Sequence, residues 1–104
     1  MSNEIFGPVA PVIPFDDEAQ VVRWANSTDW GLVGYVFTQD VDRAFRMHEQ
    51  IEVGMLGVNT GLVSNPAAPF GGIKESVLGR EGGRTGIDEF LELRYLALPR
   101  RSGE

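Results

Sequence analysis

The sequence predicts an α/β fold of parallel βαβαβ form, and three observations predict it. Two segments with helical periodicity, opening at Asp17 and Asp40, alternate with three apolar runs at residues 8–15, 32–38 and 55–59. The runs are short and rich in Val, Ile, Leu and aromatic residues, as strands in a buried sheet are. The connections between them are a few residues long, which suits alternating strand and helix units.

Each element has its own warrant. Residues 8–15 are apolar but punctuated by Pro11 and Pro14, which cannot donate to a ladder, so this is an edge or short strand. Asp16, Asp17 and Glu18 open the first helix. Asp17 is its cap, Gln20 stands three residues later as in a capping box, and the carboxylates suit the positive end of the helix dipole. Val21, Val22 and Ala25 then share a face, and the helix ends near Asn26 and Ser27. Residues 32–38 read as a buried strand. Asp40 caps a second helix whose apolar face is Val41, Ala44, Phe45, His48 and Ile51, with Gly54 placed as the left-handed residue past its end. Residues 55–59 make the third strand.

After Asn59 the chain changes character. Residues 60–86 are rich in Gly, Pro, Ser and Asn and hold no period, and an irregular stretch of that length inside a domain is usually functional. Asp88 and Glu89 start one helical turn at residues 87–91. Residues 92–98 alternate, with Leu93, Tyr95 and Ala97 on one side and Glu92 and Arg94 on the other, until Leu96 and Leu98 make both sides apolar. Such a strand requires a sheet edge from another segment or another subunit.

The bulk properties set limits. The chain has 104 residues, 42% hydrophobic and 23% charged, ordinary for a soluble globular protein. Closed as one small domain it would bury roughly 60–70% of its unfolded surface. A net charge of −6 argues against a nucleic-acid partner, and Arg94, Arg100 and Arg101 read as a solvated tail. Without cysteine there is no disulfide, no thiolate chemistry from this chain and no cysteine metal site, and the single histidine, His48, excludes a His-rich one. Residues 53–73 are uncharged, but Gly, Pro and Asn break them, so they do not form a membrane helix. No basic region precedes the first apolar run, so no secretory signal is expected and the expected location is cytoplasmic.

Few residues then compete for chemistry. The glycines at 79, 82, 83 and 86 lack a G-x-G-x-x-G pattern, and Gly72-Ile73-Lys74 lacks Walker spacing; tight turns account for them. His48 has no carboxylate or hydroxyl placed to form a triad and reads as a partly buried helix residue. Phe6 and Phe70 lie in Pro- and Gly-bounded segments, where a ring either fills a core or lines an apolar pocket. Ser64 and Asn65 either close a turn before Pro66 or donate hydrogen bonds to an anionic group.

Five ordered motifs carry a resemblance: Glu4-Ile5-Phe6-Gly7-Pro8; Ala25-Asn26 leading to Trp30-Gly31-Leu32; Gly57-Val58-Asn59; Pro69-Phe70-Gly71-Gly72-Ile73-Lys74; and Leu78-Gly79-Arg80-Glu81-Gly82. The chain resembles the C-terminal part of an NAD(P)-dependent aldehyde dehydrogenase. Residues 59–65 and 86–95 are most similar to the succinate-semialdehyde dehydrogenase branch. The resemblance implies that residues 1–86 belong to the catalytic domain and that residues 87–104 form an oligomerisation strand and tail. It implies that Glu4 bonds the nicotinamide-ribose hydroxyls and that Phe6 packs beside the nicotinamide of NAD or NADP. It also implies that Ser64 contacts the distal carboxylate of the substrate and that Phe70 walls the aldehyde tunnel. The family's nucleophilic cysteine, general-base glutamate and dinucleotide-binding domain precede this region, so the expected catalytic set in this chain is empty, and the chain alone is expected to be inactive. The expected partners are the upstream part of the enzyme, a small aldehyde, and a second subunit held through the last strand. Val77 stands where the family has Gly, which would be costly if that backbone has positive φ.

Overall fold

The computed structural model describes residues 4–97, and its first regular element begins at Asp17. The Asp17 carboxylate accepts from Gln20 N at 2.7 Å, and Gln20 Oε1 accepts in return from Asp16 N at 2.7 Å. The capping box therefore forms, its return bond landing one residue earlier than the usual pattern. Helix α1 runs Glu18–Asn26, and Ser27 closes it by donating to Trp24 O through both N and Oγ. Residues 8–15 make no strand: they are exposed and form no strand pairing among the described residues. With Pro11 and Pro14 in the run, a strand here would need a neighbouring chain segment to hold it.

Strand β1, Trp30–Gly31, leads into β2, Val33–Val36. Helix α2, Val41–Gln50, follows, its first turn capped by Asp40 Oδ1, which accepts from Asp42 N at 2.9 Å and Arg43 N at 3.2 Å. It returns to β3, Met55–Val58, which lies parallel to β2 in the register Val33↔Met55 through Val36↔Val58. Strand β4, Ile73–Lys74, pairs antiparallel with β1. One βαβ unit therefore forms where two were expected, because the first strand is missing. The β1–β4 pair was not expected at all, since two-residue strands carry no period. A 3₁₀ helix, Thr85–Phe90, covers the turn expected at residues 87–91.

The interior differs from the predicted one. Met47, absent from the predicted apolar face, is the buried hydrophobic residue, at 4% exposure. His48 is exposed, and with Val41, Ala44 and Phe45 it borders a shallow depression of about 260 Å³ over Leu56 and Val58. The other side of α2, with Met47 and Ile51, lines a cleft of about 850 Å³ shared with Val21 and Ala25 of α1 and with β2. Gly54 is not left-handed; α2 ends at Ile51 in extended backbone, and Gly54 is required because a side chain there would strike the Gly71 carbonyl oxygen.

The described fold is open. A closed domain of this length has a radius of gyration of about 13 Å, whereas here it is 20.6 Å, with extents of 79 × 33 × 25 Å. The accessible surface is 9341 Å², against about 5,800 Å² for a compact monomer of this mass. The expectation that the chain would bury roughly 60–70% of its unfolded surface fails accordingly. Residues 92–97 are exposed and form no helix or strand; Leu98, Arg100 and Arg101 lie outside the described residues. No helix among the described residues is long and apolar enough to cross a membrane.

Candidate functional site

Two polar clusters hold the pieces that carry the candidate residues. In the first, Glu18 joins the start of α1 to α2: Arg46 Nε and Nη2 donate to its two oxygens at 2.8 and 3.1 Å, and Arg43 Nε donates at 3.0 Å. Hydrogen bonds from Arg46 and then Arg43 hold the Glu18 carboxyl at about 2, well below its ordinary range. In the second, the Asn26 amide donates to Gln50 O at 2.8 Å and accepts from Glu52 N at 2.9 Å, closing the end of α2. The Lys74 ammonium donates to Asn26 O and Thr28 O, both at 3.0 Å, just beyond the carbonyl end of α1, and pairs with Glu52.

The loop of residues 60–72 hangs from this frame. Asn65 Oδ1 accepts from Ala67 N at 2.9 Å, the Asx turn that was one reading of the pair, so Asn65 is committed to its own backbone. Ser64 is exposed, and its hydroxyl makes no hydrogen bond among the described residues. Phe70 is tied by a two-bond antiparallel bridge to Glu81 and is 39% exposed. Arg80 Nη1 reinforces the crossing, donating to Gly72 O at 2.6 Å and Gly79 O at 2.8 Å, while Arg80 N donates to Glu89 at 3.2 Å. Gly79, Gly82 and Gly83 take positive φ, as the turn reading required; Val77 does not, so valine is tolerated there.

Glu4 and Phe6 stand apart, on an exposed stretch where Gly7 N donates to Ile5 O at 3.2 Å and Val9 N to Gly7 O at 2.8 Å. Phe6 is 96% exposed. The structure brings Ser64 and Phe70 onto one loop. It does not join Glu4 or Phe6 to that loop, and none of the four lines either concavity. The sequence reading missed Asn59, Lys74 and Arg80, whose importance lies in backbone conformation and in bonds to distant carbonyls that no spacing reveals.

The described residues form a mixed α/β segment with small sheets, an irregular glycine-rich return and candidate residues carried on loops. A model of the aldehyde dehydrogenase family matches residues 1–96, and the chain belongs to that family. It is 55% identical over 96 residues to a glutarate-semialdehyde dehydrogenase of Pseudomonas aeruginosa, covering 92% of this chain and 20% of that protein. The succinate-semialdehyde dehydrogenase structure from Burkholderia pseudomallei superposes with a TM-score of 0.82 at 50% identity, covering 86% of this chain and 18% of that one. The NAD+ complex of a Bacillus cereus aldehyde dehydrogenase superposes with a TM-score of 0.84 at 38% identity, covering 88% and 18%. The chain thus spans about a fifth of the length of these relatives.

Proposed function

We propose that this chain is a segment of a dehydrogenase that oxidises succinate semialdehyde to succinate with NAD or NADP. Its share of the work is substrate selection and cofactor positioning. The observation that carries the reading is the loop holding Ser64 and Phe70. It offers an exposed, uncommitted hydroxyl and a ring pinned through its backbone, set among residues half identical to those of enzymes named for succinate and glutarate semialdehydes. Those substrates pair an aldehyde with a distal carboxylate: a hydroxyl donor suits the carboxylate and an aromatic wall suits the methylene chain. Glutarate semialdehyde, longer by one methylene, is the nearest competitor, and an uncharged medium-chain aldehyde the next.

Glu4 presents an exposed carboxylate acceptor and Phe6 an uncovered flat face, a set that fits ribose hydroxyls and a nicotinamide ring. When bound, the nicotinamide supplies a hydride acceptor. This chain's residues orient it, and the nucleophile and base come from the rest of the enzyme, because the chain holds no cysteine. Residues 92–98 pair with another subunit in this reading.

The test is steady-state kinetics of the full-length enzyme carrying this segment, on succinate semialdehyde and on an uncharged aldehyde of equal length. Ser64→Ala should lower kcat/KM for the semialdehyde roughly ten-fold, worth one hydrogen bond to a charged group, and leave the uncharged aldehyde nearly unchanged. Equal efficiency on both, with Ser64→Ala silent, sinks the substrate assignment. The absence of cysteine together with wide apolar exposure favours a second reading, a non-catalytic assembly module. An open reading frame that contains no nucleophile-bearing domain would favour it over the first.

A further inference from the structure

Among the described residues, two that are not glycine have positive φ: Asn59 at 53° and Lys74 at 56°. They bracket the loop that carries Ser64 and Phe70. Asparagine tolerates this backbone region because its short amide bonds locally, but for lysine it is uncommon. Each is fixed by its side chain to backbone of the surrounding frame. The Asn59 backbone N–H still donates to Val36 O at 2.8 Å, and its side-chain amide extends the β2–β3 ladder by accepting from Thr38 N at 2.9 Å and donating to Thr38 O at 2.8 Å. Lys74 reaches back to Asn26 O and Thr28 O at 3.0 Å each, its side chain 23% exposed. One post stands at the end of β3 and the other on β4, which β1 holds in register at Trp30↔Lys74.

We infer that Asn59 and Lys74 are paired positioning residues that fix where the substrate loop leaves and rejoins the frame, and so set the placement of Ser64 and Phe70 toward the aldehyde. This rests on the reading of that loop as substrate-binding. Neither residue need touch the substrate. Their side chains hold two left-handed backbone conformations, one tolerated at Asn59 and one uncommon at Lys74, the latter the kind of local strain that persists only where its surroundings over-determine it.

The test uses the full-length enzyme carrying this segment, with Asn59→Gly and Lys74→Gly. Glycine keeps positive φ accessible, so Asn59→Gly removes the tether to Thr38, and Lys74→Gly removes the tethers to Asn26 O and Thr28 O together with the Glu52 pair. Amide hydrogen exchange within residues 60–72 should accelerate while α2 keeps its protection, and KM for the semialdehyde should rise roughly ten-fold with kcat changed less than about two-fold. Lys74→Arg, which retains a cation of similar reach, should restore most of both. Unchanged loop exchange in the two glycine variants overturns the inference, as does acceleration spread equally through α2, which marks a general structural role. Faster loop exchange with unchanged KM upholds the two posts and instead counts against the substrate role of the loop. If a glycine variant does not accumulate, Asn59→Asp keeps the acceptor for Thr38 N, loses the donor to Thr38 O, and should show the same loop-confined acceleration in smaller degree.

Discussion

Phe70 and Glu81 exchange both backbone hydrogen bonds at 2.7 Å each, although neither belongs to a strand. The pairing fixes the backbone at Phe70 while the residue stays 39% exposed, so the proposed role of its ring on the substrate side depends on this bridge. Glu81→Pro removes the N–H that donates to Phe70 O and leaves that carbonyl unpaired. The expected result in the full-length enzyme is a raised KM for the aldehyde and local destabilisation of about 1–3 kcal/mol in urea unfolding. Unaltered KM would separate the bridge from substrate placement.

Gly54 sits where two backbone segments come closest. An added Cβ would meet not only the Gly71 oxygen but also Gly72 Cα at 2.6 Å, and neither belongs to a side chain that could swing aside. Gly54→Ala should therefore cost about 3 kcal/mol or more and shift the melting temperature visibly. Gly61→Ala meets nothing within 4 Å and serves as the matched control, with little expected change.

Glu18 sets an acid limit on the contact between α1 and α2. Its carboxyl sits at about 2 in the fold instead of the ordinary 4.5, chiefly through the Arg46 hydrogen bond and then that of Arg43. A lowered folded value means that the stabilisation is complete above the unfolded value of 4.5 and is lost as pH falls from there toward 2. The stability difference between the full-length wild type and Glu18→Gln should be constant at neutral pH and shrink across that acid window. A difference that grows on acidification would contradict the ion-pair assignment.

How much of this was legible follows from what each element depends on. The two capped helices and the parallel pair around α2 rest on local rules, a carboxylate before the first turn and a run of β-branched residues, and these elements form. By contrast, β1 and the buried face of α2 depend on distant partners and were not read. Residues 8–15 failed because a strand interrupted by Pro11 and Pro14 needs a neighbour to exist. Gly54 was assigned to the right neighbourhood for the wrong reason, since a glycine required by a distant carbonyl looks the same in sequence as one required by φ. Ser64 and Phe70 were assigned through the resemblance, and their roles rest on the reading proposed above. Asn59 and Lys74 were overlooked as posts because positive φ in a residue other than glycine leaves no mark in the sequence.

The last prediction concerns the 104-residue chain by itself. Phe6, Leu93 and Tyr95 are almost fully exposed, and the cleft between α1, α2 and β2 stands open with Met47 at its base. Among the described residues a single buried apolar side chain, Met47, cannot offset the conformational entropy of ordering ninety-odd others, each costing about 1–2 kcal/mol for the backbone alone. In isolation the chain should therefore bind a hydrophobic dye, elute well above its 11.4 kDa mass, and form no NADH from any aldehyde. A monomer at high concentration by light scattering, with a cooperative unfolding transition, would show that the apolar faces close on each other, and the need for a surrounding enzyme would then fall away. Measurable turnover would be the stronger refutation, since it would require a nucleophile other than cysteine within these residues.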